Sequence, residues 1–210
     1  MGILSKFNSN PGVEHWRVAV DVLSYVVGTK EKGVMLGDVQ KVEKGIIGFA
    51  DSDWANDTDD RKSVSGGALF IEGSLVEWFS RKQGMVCTST AEAEIHAVLE
   101  MVQLVKAAKS VWDDLLMNFF QGQPKVPIIF SDSQPGLDAI SLKRARGKHY
   151  DIKVKYIAEG VAAGEFSLRY IPTSSNVADV FTKALRAVRF NALAQFLISR
   201  VEANSEGFRI

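Results

Sequence analysis

GIIGFADSDW, residues 45–54, is an apolar run that stops abruptly on two carboxylates. Ile46, Ile47, Phe49 and Ala50 lie between Gly45 and a polar segment at 56–60, and they have the length and composition of a short buried strand. Asp51 and Asp53 then stand where the strand leaves the core. Successive strand residues point to opposite faces, so the two aspartates share one face and Ser52 takes the other. Periodicity does not choose between them. Asp, Asn and Ser also cap turns, so the meaning of this DSD is decided by the rest of the chain.

Downstream, the polar loop ANDTDDRK leads into SVSGGALFIEGSLVEWFSRKQ, two apolar runs joined at Glu72-Gly73-Ser74. This predicts an antiparallel hairpin with strands near 63–72 and 74–81. In the next stretch Ile95, Val98, Leu99, Val102, Val105 and Ala108 form a stripe at helical spacing, predicting the longest helix over about Thr90 to Phe119. Lys125 to Phe130 reads as another buried strand, again finishing on an aspartate in Ser131-Asp132-Ser133. Short helices are expected over Gln134–Ile140, with Pro135 in its tolerated first turn, and over Tyr150–Ala163. A last strand is expected over Phe166–Ile171. Val180, Phe181, Leu185, Phe190, Leu193 and Leu197 suggest one C-terminal helix over Ser175–Arg200. Upstream, Trp16, Val20, Leu23 and Val27 mark an amphipathic helix ended by Gly28. Val34–Leu36 suggests a short strand, and charged Lys41–Lys44 a boundary before the main domain.

The chain has 210 residues, 46% of them hydrophobic, enough for one ordinary domain with an appendage. Lys plus Arg and Asp plus Glu are equal at 25 each, so any nucleic-acid binding has to come from a local patch. The single cysteine, Cys87, has no Cys/His ligand set around it, which suits a reducing compartment and excludes a structural zinc site. No run approaches the ~18 apolar residues that span a bilayer, and MGILSK departs from an N-myristoylation pattern at Lys6. An intracellular protein without a membrane partner is expected.

Four acids hold privileged positions: Asp51 and Asp132 closing strands, Glu94 early in the long helix, and Asp179 in the first turn of the last one. Parallel neighbouring strands would bring Asp51 and Asp132 to one sheet edge, which both helix starts can face. Crowded carboxylates repel and need cations, and oxygen ligands without Cys or His favour Mg²⁺ or Mn²⁺. Ser89 and Glu92 form a capping box, which gives Glu92 a structural job. Glu94, about 200° further round the helix, lies beside the buried stripe and has no such job. Asp179 also suits a helix-dipole partner.

The segments GFADSDWA, SVSGGALFIEGSLVEWFSRKQ, STAEAEIHAV, SDSQ, KHYDIK and IPTSSNVADVFTKAL, in this order and spacing, closely resemble the ribonuclease H region of copia-type LTR retrotransposon polyproteins. NPGVEHWRVAVDVLSYVVGTKEKGVML looks like the connection that follows reverse transcriptase in them, so the resemblance spans about residues 10 to 197. It implies an α/β, RNase H-like fold: a mixed five-stranded sheet flanked by helices, with an N-terminal helical connection. Residues 1–44 would be that connection, 45–200 the RNase H domain and 201–210 a tail.

The implied activity is metal-dependent endonucleolytic cleavage of the RNA strand in RNA/DNA hybrids, with two Mg²⁺ ions (Mn²⁺ as substitute) about 4 Å apart. Asp51, Glu94, Asp132 and Asp179 would be the catalytic metal ligands, leaving 5′-phosphate and 3′-hydroxyl ends, with Asp53 and His149 as auxiliary candidates. Arg81, Lys82, Gln83, Ser133 and Gln134 are substrate-contact candidates. Lys143, Arg144, Arg146 and Lys148 form a basic run that reads equally as a phosphate groove or a solvated face. The reverse transcriptase portion of the same polyprotein is the implied protein partner, and the implied setting is a cytoplasmic virus-like particle or the nucleus. The competing reading is an inactive or domesticated module that binds nucleic acid or protein; the presence of all four acids argues against decay.

Overall fold

The predicted strand at the DSD lies at the middle of a sheet. In the computed structural model, which describes residues 2–34, 36, 44–55, 57, 59–115, 125–143 and 148–200, β2 spans Ile46–Asp53. It pairs antiparallel with β3 (Val64–Ile71), which pairs antiparallel with β4 (Ser74–Lys82). On its other side β2 runs parallel to β5 (Ile128–Ser131), and β5 runs parallel to β6 (Ser167–Tyr170). The five-stranded order is β4-β3-β2-β5-β6. Glu72 and Gly73 turn the hairpin, both at positive φ.

Being central, β2 is buried along nearly its whole length, which is why its sequence is continuously apolar and not alternating. The long helix, α3 (Thr90–Leu115), lies across it and buries Ala93, Ile95, Ala97, Val98, Met101, Val102 and Val105. The contact is close because Gly48 has no side chain: a Cβ there would sit 2.7 Å from Met101 Cγ and Sδ. The end of the helix expected near Phe119 lies outside the described residues. Helices α4 (Gln134–Ser141) and α5 (Lys148–Ala162) complete this layer, with Ile140, Val154, Ile157 and Ala158 in the same apolar core.

The expected single helix over 175–200 is not formed. The segment is instead a 3₁₀ turn at Thr173–Ser175, a one-turn helix α6 (Asp179–Thr182), a helix α7 (Ala187–Ala194) and a short strand β7 (Ser199–Arg200). No proline or glycine breaks it. Lys183 and Arg186 take extended backbone at the two helix ends, and side chains on both sides of the break are engaged elsewhere in the fold. Tertiary contacts override helical propensity here.

Two compact units divide the chain, Met1–Val34 with Ile198–Ile210, and Met35–Leu197. In the first, α1 (Gly2–Ser5) precedes α2 (Val13–Gly28), and β1 (Lys32–Gly33) pairs antiparallel with β7. Of the expected strand at Val34–Leu36, Met35 lies outside the described residues; Val34 and Leu36 are not in strand, and the two-residue β1 stands just before them. None of the α2 residues is buried; Trp16 is 69% and Leu23 60% exposed. An apolar face of this size has no counterpart to cover it among the described residues.

Candidate active site

The parallel register of β2 and β5 brings the two strand-end aspartates together. Ala50 is opposite Ser131, so the next step along each strand is Asp51 and Asp132. Glu94 arrives from the first turns of α3. One carboxylate oxygen from each of Asp51, Glu94 and Asp132 lies within 4.8 Å of the other two. Asp51 is fully buried, and Glu94 and Asp132 are half-buried.

Asp51 is held at both oxygens. Lys183 Nζ donates to Oδ1 at 3.0 Å, and the Thr182 hydroxyl donates to Oδ2. This is possible because α6 rests directly on Gly66, the cross-strand partner of Asp51. A Cβ on Gly66 would meet Thr182 Cγ2 at 2.6 Å and the Ala178 carbonyl at 3.1 Å. Asn176 steadies Asp132: its amide donates to Asp132 Oδ1 at 3.3 Å and to the Ala50 carbonyl at 3.0 Å, and its Oδ1 accepts from Ala178 N.

Asp179 is fully buried but not part of the three-carboxylate cluster. Its Oδ1 accepts from Lys183 at 2.8 Å, and its Oδ2 accepts from Arg189. Lys183 therefore bridges Asp51 and Asp179.

Glu94 has no such compensation: its Oε2 is buried without a hydrogen-bond partner, as is the hydroxyl of Ser52. Burial first, then the charges of Asp51 and Asp132, push the Glu94 carboxyl up to about 8, against the pull of the nearby Ser52 hydroxyl and of Lys183. Burial also raises Asp51, although Lys183 and Thr182 oppose it. A cluster of hard oxygen donors with excess negative charge and an orphaned carboxylate oxygen fits a divalent cation such as Mg²⁺ or Mn²⁺.

Glu92 does cap the helix, one residue earlier than a capping box implies. Its Oε2 accepts from Thr88 N at 2.7 Å and from the Thr88 hydroxyl at 2.9 Å, while the Ser89 hydroxyl accepts from Glu92 N. The separation of Glu92 from Glu94 by role follows directly.

The other candidates divide. Asp53 ends β2 opposite Val64, outside the cluster. Ser133 caps α4 by accepting from Gly136 N, and exposed Gln134 donates to Asp138. Two substrate candidates are engaged within the fold. Gln83 is buried, with its amide bonded inside the fold. Lys82 is bound to Asp57 at 2.5 Å and Asp60 at 2.8 Å. Arg81 remains exposed, its guanidinium 5.4 Å above the Phe79 ring. Lys143 is exposed; Arg144 and Arg146 lie outside the described residues, and of Lys148 and His149 only the helical backbone is described.

Sequence reasoning missed Asn176, Thr182, Lys183 and Arg189. The signal for Lys183 is present, since it stands four residues after Asp179 on the same helical face.

No family model matches this chain. It is 31% identical over 192 residues, 90% of its length, to the retrovirus-related Pol polyprotein from transposon TNT 1-94 of Nicotiana tabacum. It is 29% identical over 189 residues to that from transposon RE2 of Arabidopsis thaliana. The chain spans only 14% and 13% of the length of these relatives. Among solved structures it resembles LC11-RNase H1, isolated from compost, with a TM-score of 0.50 and 16% identity, covering 67% of this chain and 94% of that one. The sheet order described above is thus an RNase H fold, and across nine-tenths of its length the chain is a homologue of retrovirus-related Pol polyproteins from plant copia-type transposons.

Proposed function

We propose that this chain is a divalent-cation-dependent ribonuclease H that hydrolyses the RNA strand of an RNA/DNA hybrid. The observation that carries this reading is the convergence of Asp51, Glu94 and Asp132 from three separate elements to within 4.8 Å, with one carboxylate oxygen buried and unpartnered. A purely structural role would pair or dilute these charges, because burying uncompensated carboxylates is costly.

On this reading Asp51, Glu94 and Asp132 hold the cation. Thr182 and Lys183 fix the rotamer of Asp51, and Asn176 fixes that of Asp132, so the ligands are preorganised. Glu94, raised to about 8, carries a proton at neutral pH and releases it when the cation is loaded. Bound Mg²⁺ supplies the Lewis acidity that neutralises charge on the scissile phosphate and activates water. A second ion would need Asp179, which Lys183 and Arg189 would then have to yield. Exposed Arg81 and Lys143 are candidates to meet a phosphate.

On the same reading residues 1–44 are the connection segment, residues 45–200 the nuclease domain, and the exposed face of α2 the contact to the reverse transcriptase portion of the polyprotein. The test is cleavage of a labelled RNA/DNA hybrid beside RNA/RNA and DNA/DNA duplexes, with and without Mg²⁺. RNA fragments with 5′-phosphate and 3′-hydroxyl ends, from the hybrid alone and only with Mg²⁺, are expected. Equal cleavage in EDTA would overturn the reading.

A further inference from the structure

Gln83 lies one residue beyond β4 and is 3% exposed. Every hydrogen-bonding atom of its side chain is engaged. Nε2 donates to the Ser65 hydroxyl at 2.9 Å and to the Ala93 carbonyl at 3.0 Å, and Oε1 accepts from Cys87 Sγ at 3.0 Å. Its backbone N–H donates to the Ser63 carbonyl at 2.8 Å. A primary amide offers two donors and an acceptor, and here they reach a strand, a helix and the loop between them.

The helix contact is the informative one. The Ala93 carbonyl belongs to the planar peptide group that joins Ala93 to Glu94, so fixing that oxygen fixes the plane on which the Glu94 Cα lies. The strand contact leads to the other carboxylate, since Ser65 is the cross-strand partner of Ser52, beside Asp51 on β2. The Trp54 indole, three residues past Asp51, donates to the Cys87 carbonyl at 3.0 Å and ties the loop to the exit of β2. The path from Asp51 to Glu94 therefore closes through one buried amide. Glu94 itself has an oxygen without a partner, so no direct bond at that atom sets its position.

We infer that Gln83 is a positioning residue for the cation centre: it sets the separation of Glu94 from Asp51, and with it cation affinity. The inference rests on the reading of Asp51, Glu94 and Asp132 as a cation centre. Groups that orient metal ligands typically change affinity 10–100-fold when removed. Buried amides that merely fill space change stability and leave ligand affinity alone.

Mn²⁺ binding by calorimetry to the wild-type chain, Gln83→Met and Val105→Ala tests it. Gln83→Met keeps the side-chain length and removes both donors. Val105→Ala, about 16 Å further along α3, removes core volume without touching the carboxylate end. The expected result is a loss of Mn²⁺ affinity of about tenfold or more in Gln83→Met, with Val105→Ala melting lower but binding Mn²⁺ as the wild type does. A folded Gln83→Met with wild-type Mn²⁺ affinity overturns the inference while leaving the cation centre standing. An equal affinity loss in Val105→Ala also overturns it, because the effect would then follow stability. Wild-type chain that binds no Mn²⁺ overturns the cation centre itself and the inference with it. Should Gln83→Met fail to fold, Ser65→Ala takes away the strand anchor of the same amide, along with the hydroxyl near Glu100. A smaller affinity loss is expected there, and unchanged affinity counts against the proposal.

Discussion

Asp179, fully buried, and Glu94, half-buried, are acids at two ends of one constellation, and the fold treats them in opposite ways. Asp179 has an ammonium on one oxygen and a guanidinium on the other. Glu94 has an oxygen with no partner and two further carboxylates within reach. Asp51 stands between them, sharing Lys183 with Asp179 and crowding Glu94 and Asp132. Buried carboxylates can thus be satisfied from within by cations of the chain or left for a cation from outside, and only the second arrangement makes a binding site.

Replacing ligands at the open end breaks this contrast most severely. Asp132→Asn keeps the shape and removes a ligand charge, so hybrid cleavage should fall by about 10³-fold or more. In EDTA the same variant should melt higher than wild type, because repulsion in the cluster is relieved. Wild-type cleavage by Asp132→Asn would show that the open end is not the reactive one.

The two neighbouring glutamates sharpen the contrast within a single helical turn. Glu94→Gln should lose about 10²-fold or more in cleavage, whereas Glu92→Gln still accepts from Thr88 and should cleave within a few-fold of wild type. The opposite ranking, measured under the same Mg²⁺ concentration, would exchange their roles.

At the closed end the effect should appear in stability. Arg189→Met leaves Asp179 with Lys183 alone and should destabilise the chain by about 1–3 kcal/mol, less than for a fully buried pair because both cations are partly exposed. Urea denaturation in EDTA reads this directly. An Arg189→Met chain as stable as wild type would mean that the ion pair contributes little.

The contrast also carries a dependence on pH. Glu94 ordinarily gives up its proton near 4.5 but holds it to about 8 in the fold. The folded chain therefore binds more protons than the unfolded one between these values, and stability is lost as pH rises through that window. Asp51 is raised as well and adds in the same direction. Without divalent cations the melting temperature should fall from pH 5 to pH 8. Glu94→Gln should flatten the slope, and Mg²⁺ should reverse it. A rising profile for the metal-free wild type would contradict the assignment.

The open end was far more legible in the sequence than the closed one. Asp51 and Asp132 each end an apolar run, and strand ends are visible in one dimension. Glu94 was separable from Glu92 because capping has a short-range pattern. Asp179 was found as an acid, but its partners were not, since Arg189 lies beyond a break that hydrophobic periodicity does not register. The stretch from Val180 to Leu197 carries enough apolar residues to read as one helix. Long-range bonds from Thr182 to Asp51 and from Arg189 to Asp179 set its course instead. Gln83 illustrates the same limit. A glutamine after an exposed Arg-Lys pair reads as surface, and only the fold shows it enclosed between β3 and α3.

The one-turn helix that carries Asp179 has a consequence in time as well as in space. β2 is hydrogen-bonded on both sides at the centre of the sheet, so its amides open only with the whole domain, while α6 has a single turn and can open locally at far lower cost. Amide hydrogen exchange should therefore be slow along β2 and fast across α6. Asp51 would keep its place over the lifetime of the folded state, while the single turn bearing Asp179, Thr182 and Lys183, held to the sheet by side chains and not by a ladder, would set how briefly that hold is released.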